Sequence, residues 1–193
     1  MNQKKSVFSL LGGIFMMCSG FFSLIFSTIN LIRASQFSAV SFGSVIGLNL
    51  NILILLCGLF LLLRKPRVAA IMMCAVAGLF VLNVVLNLTI NSARYNWFTT
   101  VCYFFAYGLF AAGLFGKGVY ALIMCLGAAF FRFMPFIVQL TNFSSSIRFG
   151  GLSILTSSFS LLSSMLMIAA MVMAALYLFK QDRVAPARPP YQY

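Results

Sequence analysis

Six stretches of this chain are each apolar for about 20 residues, the length a helix needs to cross the hydrocarbon of a bilayer. They cover residues 7–32, 43–63, 68–90, 98–115, 119–140 and 152–179 of a 193-residue chain. Little sequence is left over from which to build a soluble core. The charged residues make the same point: they are 7% of the chain, against roughly 25% in a soluble domain. The fold class expected is all-α, a polytopic membrane protein with six transmembrane helices. The first stretch follows Lys4 and Lys5 as a signal peptide's would, but it is too long for that and no small-residue cleavage site follows it, so it reads as a retained span.

An even number of spans puts both termini on one side, and the basic residues choose which. With the termini inside, Lys4, Lys5, Arg64, Lys65, Arg67, Lys117, Lys180, Arg183 and Arg188 fall in inner segments, and only Arg33, Arg94 and Arg148 in outer ones. The excess of basic residues in cytoplasmic loops therefore predicts an integral protein of the plasma (cytoplasmic) membrane with cytoplasmic N- and C-termini. Tyr95 and Trp97 fall at an outer membrane–water boundary, where amphipathic rings are favoured. Arg64–Arg67 and Gly116–Gly118 are tight inner turns, so the spans they join are antiparallel neighbours. The transmembrane domain occupies 1–179, and 180–193 is a Pro-rich basic cytoplasmic tail.

A weak internal repeat suggests three hairpins. Gly20-Phe21-Phe22, Gly78-Leu79-Phe80 and Ala129-Phe130-Phe131 each begin the outer half of an odd-numbered span. Six spans with both termini inside in about 190 residues is similar, in size and topology alone, to the substrate-binding components of energy-coupling-factor vitamin transporters. That similarity implies a membrane-embedded solute site.

Composition excludes much chemistry. Thirteen Lys and Arg stand against one acidic residue, Asp182, and there is no histidine. Paired carboxylates, Ser-His and Cys-His dyads and carboxylate cages for metal ions are all absent. Five cysteines lie inside the apolar runs without a C-x-x-C pair and read as small packing residues. No enzyme activity, metal or cofactor is expected. The basic residues punctuate apolar runs instead of clustering on a soluble face, so nucleic acid is not an expected partner either.

Depth is the informative pattern. Once the spans are oriented, nearly every polar residue within them falls in the outer half: Ser23, Ser27 and Asn30; Asn49 and Asn51; Asn83, Asn87 and Asn91; Thr99, Thr100, Tyr103 and Tyr107; Arg132 and Gln139; and Ser153 to Ser164 along the sixth span. Many keep to one helical face, such as Asn83, Asn87 and Asn91 at intervals of four. Polar side chains in hydrocarbon turn toward the bundle interior or a water-filled cavity. Together the stripes describe a polar cup open to the outside above an apolar inner plug. Serine and asparagine also join helices through interhelical hydrogen bonds, which is the competing explanation of the same stripes.

Arg132 is the sharpest single residue. It lies about eight residues from the outer end of its span, roughly 12 Å deep at 1.5 Å per residue, and no carboxylate shares that depth. Snorkelling to the outer headgroups, an anionic solute or lipid, or a clamp of backbone carbonyls could each meet its charge. Pro135 lacks an N–H and frees the carbonyl of Phe131, which is expected to open a turn beside the cation. The candidate ligand-binding residues are Arg132, Asn83, Asn87, Gln139, Asn49, Ser160 and Tyr103. Two functions follow. One is a small-solute transporter, or its substrate-binding subunit, for a polar or anionic solute. The other is a non-transporting scaffold, assembly or lipid-interacting subunit whose partners are the bilayer and another membrane protein.

Overall fold

The computed structural model describes residues 7–36, 42–90, 97–146 and 151–184, all but short turns of which are helical. The helices are α1 (Val7–Gln36), α2 (Phe42–Leu62), α3 (Pro66–Ile90), α4 (Trp97–Phe115), α5 (Gly118–Ser146) and α6 (Gly151–Val184). All six are long and apolar enough to span a membrane. Three outlast the apolar stretches read from the sequence: α1 continues to Gln36, α5 to Ser146 and α6 to Val184. Residues 141–146, expected in an outer loop, are thus helical, and so are 180–184 at the start of the expected tail. Backbone hydrogen bonding favours continuing a helix past the hydrocarbon edge wherever no Pro or Gly stops it.

Each helix packs against its neighbours in sequence, and α6 returns to α1, closing a ring of six. α4 also touches α6 across the ring. The pairs α1–α2, α3–α4 and α5–α6 are adjacent, but so is every other consecutive pair, so adjacency does not single out three hairpins. A continuous core of Met16, Leu61, Met73, Phe110, Leu114, Met167 and Met171 fills the interior. The outer surface is apolar, with Phe21, Ile52, Ile71, Val85, Phe104, Ile123, Phe130 and Met165 among its exposed side chains. This inside-and-outside apolarity is the mark of a helix bundle solvated by lipid.

The tightest contact joins α1 and α2. A Cβ placed on Gly13 would lie 2.7 Å from the Leu62 nitrogen, and one on Gly58 2.7 Å from the Met17 nitrogen. The missing side chains let the two backbones touch, as small residues do in membrane helix pairs. Ser9 reinforces the contact by donating to the Leu61 carbonyl at 2.8 Å. Cys57 joins α2 to α3 by donating its thiol to the Ala69 carbonyl, and the cysteines are free thiols.

The two short turns at the terminal end of the bundle are built differently. α2 ends in a Schellman motif, with Lys65 N–H donating to Phe60 O and Arg64 N–H to Leu61 O. That motif puts its penultimate residue in the left-handed region, and here Arg64 occupies it at φ 58°. A non-glycine residue pays about 1–2 kcal/mol for that conformation. Pro66 then opens α3, where a missing N–H is tolerated. The α4–α5 turn uses a glycine, Gly118, at φ 59°.

Candidate functional site

Arg132 projects from α5 into the ring and is 8% exposed. It therefore does not snorkel to the headgroups. α5 also runs through Pro135 without interruption, so the expected opening of the helix beside Arg132 is absent. Pro135 is fully buried, and the helix continues on either side of it.

The guanidinium meets aromatic faces. Its central carbon lies 4.3 Å from the Tyr103 ring centroid and 6.0 Å from that of Tyr107. These tyrosines are one turn apart on α4 and stack on each other, with centroids 6.2 Å apart. Phe80 from α3 packs edge-on against both rings. A cation over a desolvated aromatic face gains about 2 kcal/mol or more, so these rings replace part of the hydration Arg132 has lost.

A directed chain of hydrogen bonds runs beside the stack. Arg132 Nη2 donates to Ser164 Oγ at a long 3.4 Å, Ser164 Oγ donates to Gln139 Oε1 at 2.8 Å, and Gln139 Nε2 donates to Tyr103 Oη at 2.9 Å. α4, α5 and α6 each contribute at least one member. The guanidinium remains under-satisfied all the same, because its Nε–H is buried with no hydrogen-bond partner among the described residues. Among the described residues no salt bridge compensates it. The chain's one acid, Asp182, lies eighteen residues beyond Ser164 on α6, about 27 Å along the helix axis at 1.5 Å per residue.

Of the residues singled out from sequence, Arg132, Gln139 and Tyr103 come together here. Ser164 and Tyr107 complete the cluster. Both belonged to the polar stripes without being named as site residues. Ser160 is half-buried one turn before Ser164 and stands outside the bonded chain. Asn83 is half-buried one turn beyond Phe80 and has an interaction of its own. The Asn87 side chain and all of Asn91 lie outside the described residues. Asn49 does not reach the cluster: it is exposed, and its amide bonds back to the Val45 carbonyl one turn earlier at 3.0 Å.

The remaining stripes join α1, α2 and α6. Ser19 donates to the Ser163 carbonyl and Ser163 to the Ser19 carbonyl, a reciprocal pair at 2.8 and 3.0 Å. Ser23 bonds the Ser163 hydroxyl. Asn51 Nδ2 donates to both the Ser23 carbonyl and the Ser27 hydroxyl. The expected single cup is therefore divided. Ser163 turns to α1 and Ser164 to α5, because consecutive helical residues differ by 100°. The apolar plug is present toward the terminal end, where Phe110, Leu114, Met171 and Ala174 are buried.

No protein-family model matches the chain, and no curated protein or solved structure matches it either.

Proposed function

We propose that this multi-pass membrane protein binds a small anionic solute at Arg132, as a transporter or as the membrane-embedded substrate-binding subunit of one. One observation carries this reading. A guanidinium more than nine-tenths buried has, among the described residues, no carboxylate near it and no partner for its Nε–H. Buried charges are ordinarily paired, and a carboxylate or phosphate is the natural partner of an arginine. Tyr103, Gln139 and Ser164 would orient the solute's remaining polar groups. With cytoplasmic termini, as the basic residues argue, the site lies in the outer half of the membrane and the apolar plug below it closes the inner side. The reading is of a binding protein and not an enzyme, since Ser19, Ser23 and Ser163 are engaged with one another and the chain has no histidine to act as base.

Calorimetric titration of the detergent-purified protein with a panel of small carboxylates and phosphates tests this. At least one should bind, and Arg132→Gln should weaken it tenfold or more. Binding of every such ligand equally by both proteins, or of none by the unmodified protein, would sink the proposal.

A second reading, a non-transporting scaffold or accessory subunit, is favoured by the reciprocal Ser19–Ser163 bonds and the Asn51 bridge, which spend polar groups on helix contacts. Co-purification of a stoichiometric membrane partner, together with no anion binding, would select it.

A further inference from the structure

A second concentration of positive charge lies at the opposite end of the ring from the depth of Arg132. The α2–α3 turn, the α4–α5 turn and the last turns of α6 enclose a cleft of about 490 Å³, a volume typical of small-molecule sites. Arg64, Lys65, Arg67 and Lys117 line it, and Leu114 and Leu178 from the plug also face it. The N-termini of α3 and α5 begin at its wall, and neither has an acidic residue in its first turn. The C-terminal ends of α2, α4 and α6 reach the same cleft, so the helix dipoles largely offset one another and the four side-chain cations set its charge. Asp182 follows the cleft residue Gln181 in sequence. Even a full contribution from that one carboxylate would leave three cations unmatched.

Two further features bear on what fills the cleft. Arg64 sits in a left-handed backbone position that favours glycine, whereas the sister turn places Gly118 at its own. The side chain at 64 thus opposes the local backbone preference and supplies charge to the cleft. Phe115 lines the cleft while 52% exposed, and Leu63, Val119 and Tyr120 beside the turns are 54%, 61% and 52% exposed. The rim is apolar where it meets lipid and cationic within.

We propose that this cleft binds the phosphate of an anionic phospholipid headgroup, with the acyl chains lying along the apolar rim. Arginine forks match phosphate oxygens bidentately, and basic pockets between transmembrane helices hold anionic headgroups in this way. The site is separate from Arg132 and does not depend on the solute reading.

The test titrates delipidated protein in neutral detergent with dioctanoyl phosphatidylglycerol, dioctanoyl phosphatidylcholine and inorganic phosphate, following binding by calorimetry. Phosphatidylglycerol should bind saturably and at least tenfold more tightly than the other two. The double variant Arg67→Gln/Lys117→Gln should weaken it tenfold or more. Lys180→Gln, which removes a cation at the same end of the bundle but outside the cleft, should change it less than twofold. Equal binding of phosphatidylcholine would overturn the proposal, as would a loss with Lys180→Gln as large as with the cleft variants. Inorganic phosphate binding as tightly as phosphatidylglycerol would make this a soluble-phosphate site and overturn the lipid assignment. Should the double variant fail to fold, Arg64→Gly suits the left-handed backbone and supplies the same readout: undiminished phosphatidylglycerol binding in that variant would overturn the proposal.

Discussion

The Arg132 guanidinium lies over the Tyr103 ring, 4.3 Å from its centroid, while Gln139 donates to the hydroxyl of the same tyrosine at 2.9 Å. One side chain thus supplies both the aromatic face that a buried cation needs and an anchor for the polar chain beside it. The two roles can be separated by substitution.

Tyr103→Phe keeps the ring and loses the hydroxyl, so the loss of stability should stay near 1 kcal/mol, the worth of an ordinary hydrogen bond. Tyr103→Leu removes the face as well and should lose about 2 kcal/mol more, in line with a desolvated cation–π contact. Thermal unfolding in detergent compares the two. Equal losses would show that the ring face contributes nothing.

Ser164 and Gln139 form one link between α6 and α5, at 2.8 Å. A double-mutant cycle of Ser164→Ala and Gln139→Leu should give a coupling of about 0.6–1.7 kcal/mol, the range of interhelical hydrogen bonds in membranes. Strict additivity would mean that the bond makes no net contribution.

The α1–α2 contact depends on missing side chains. Gly13→Val or Gly58→Val would press a branched side chain against the facing backbone and should destabilise by about 1–3 kcal/mol or more. Gly78→Ala is the matched control, since nothing lies within 4 Å of the Cβ it would add. That substitution should be neutral or slightly stabilising, because alanine is the better helix former.

Arg64→Gly should leave stability unchanged or raise it by up to about 1 kcal/mol, since glycine adopts the left-handed conformation without strain but orders a freer chain. A clear loss of stability would mean that the Arg64 side chain holds the turn together by contacts that outweigh the backbone strain.

Topology is tested on a cysteine-free background. Single cysteines at Lys65 and Lys117 should both react with a membrane-impermeant maleimide from the cytoplasmic side, and one at Arg33 only from the opposite side. Labelling of Lys65 and Lys117 from opposite sides would contradict the six-span arrangement itself.

Much of the architecture is legible in the amino-acid sequence. Span number, the antiparallel turns at Arg64–Arg67 and Gly116–Gly118, and the apolar plug follow from hydropathy, because transfer into lipid is set residue by residue. Helix ends are less legible. α5 runs to Ser146 and α6 to Val184 because backbone hydrogen bonding does not stop where side-chain hydropathy does. The close approach at Gly13 and Gly58 is visible only when the helices are placed, since a glycine alone does not name the backbone it faces.

By itself the sequence determined that the chain is a six-span membrane protein with an under-neutralised arginine within it, since thirteen bases, one acid and six apolar runs admit little else. Only the tertiary structure decided what each polar residue faces. Ser163 and Ser164 are neighbours in one stripe, yet one bonds α1 and the other α5. Asn49 and Asn51 lie two positions apart, yet one turns back on its own helix and the other bridges to α1. The physical reason is rotation. Periodicity places residues on a common face, but the packing of small side chains against neighbouring ridges sets how each helix is turned about its axis, and 100° of turn separates one partner from the next.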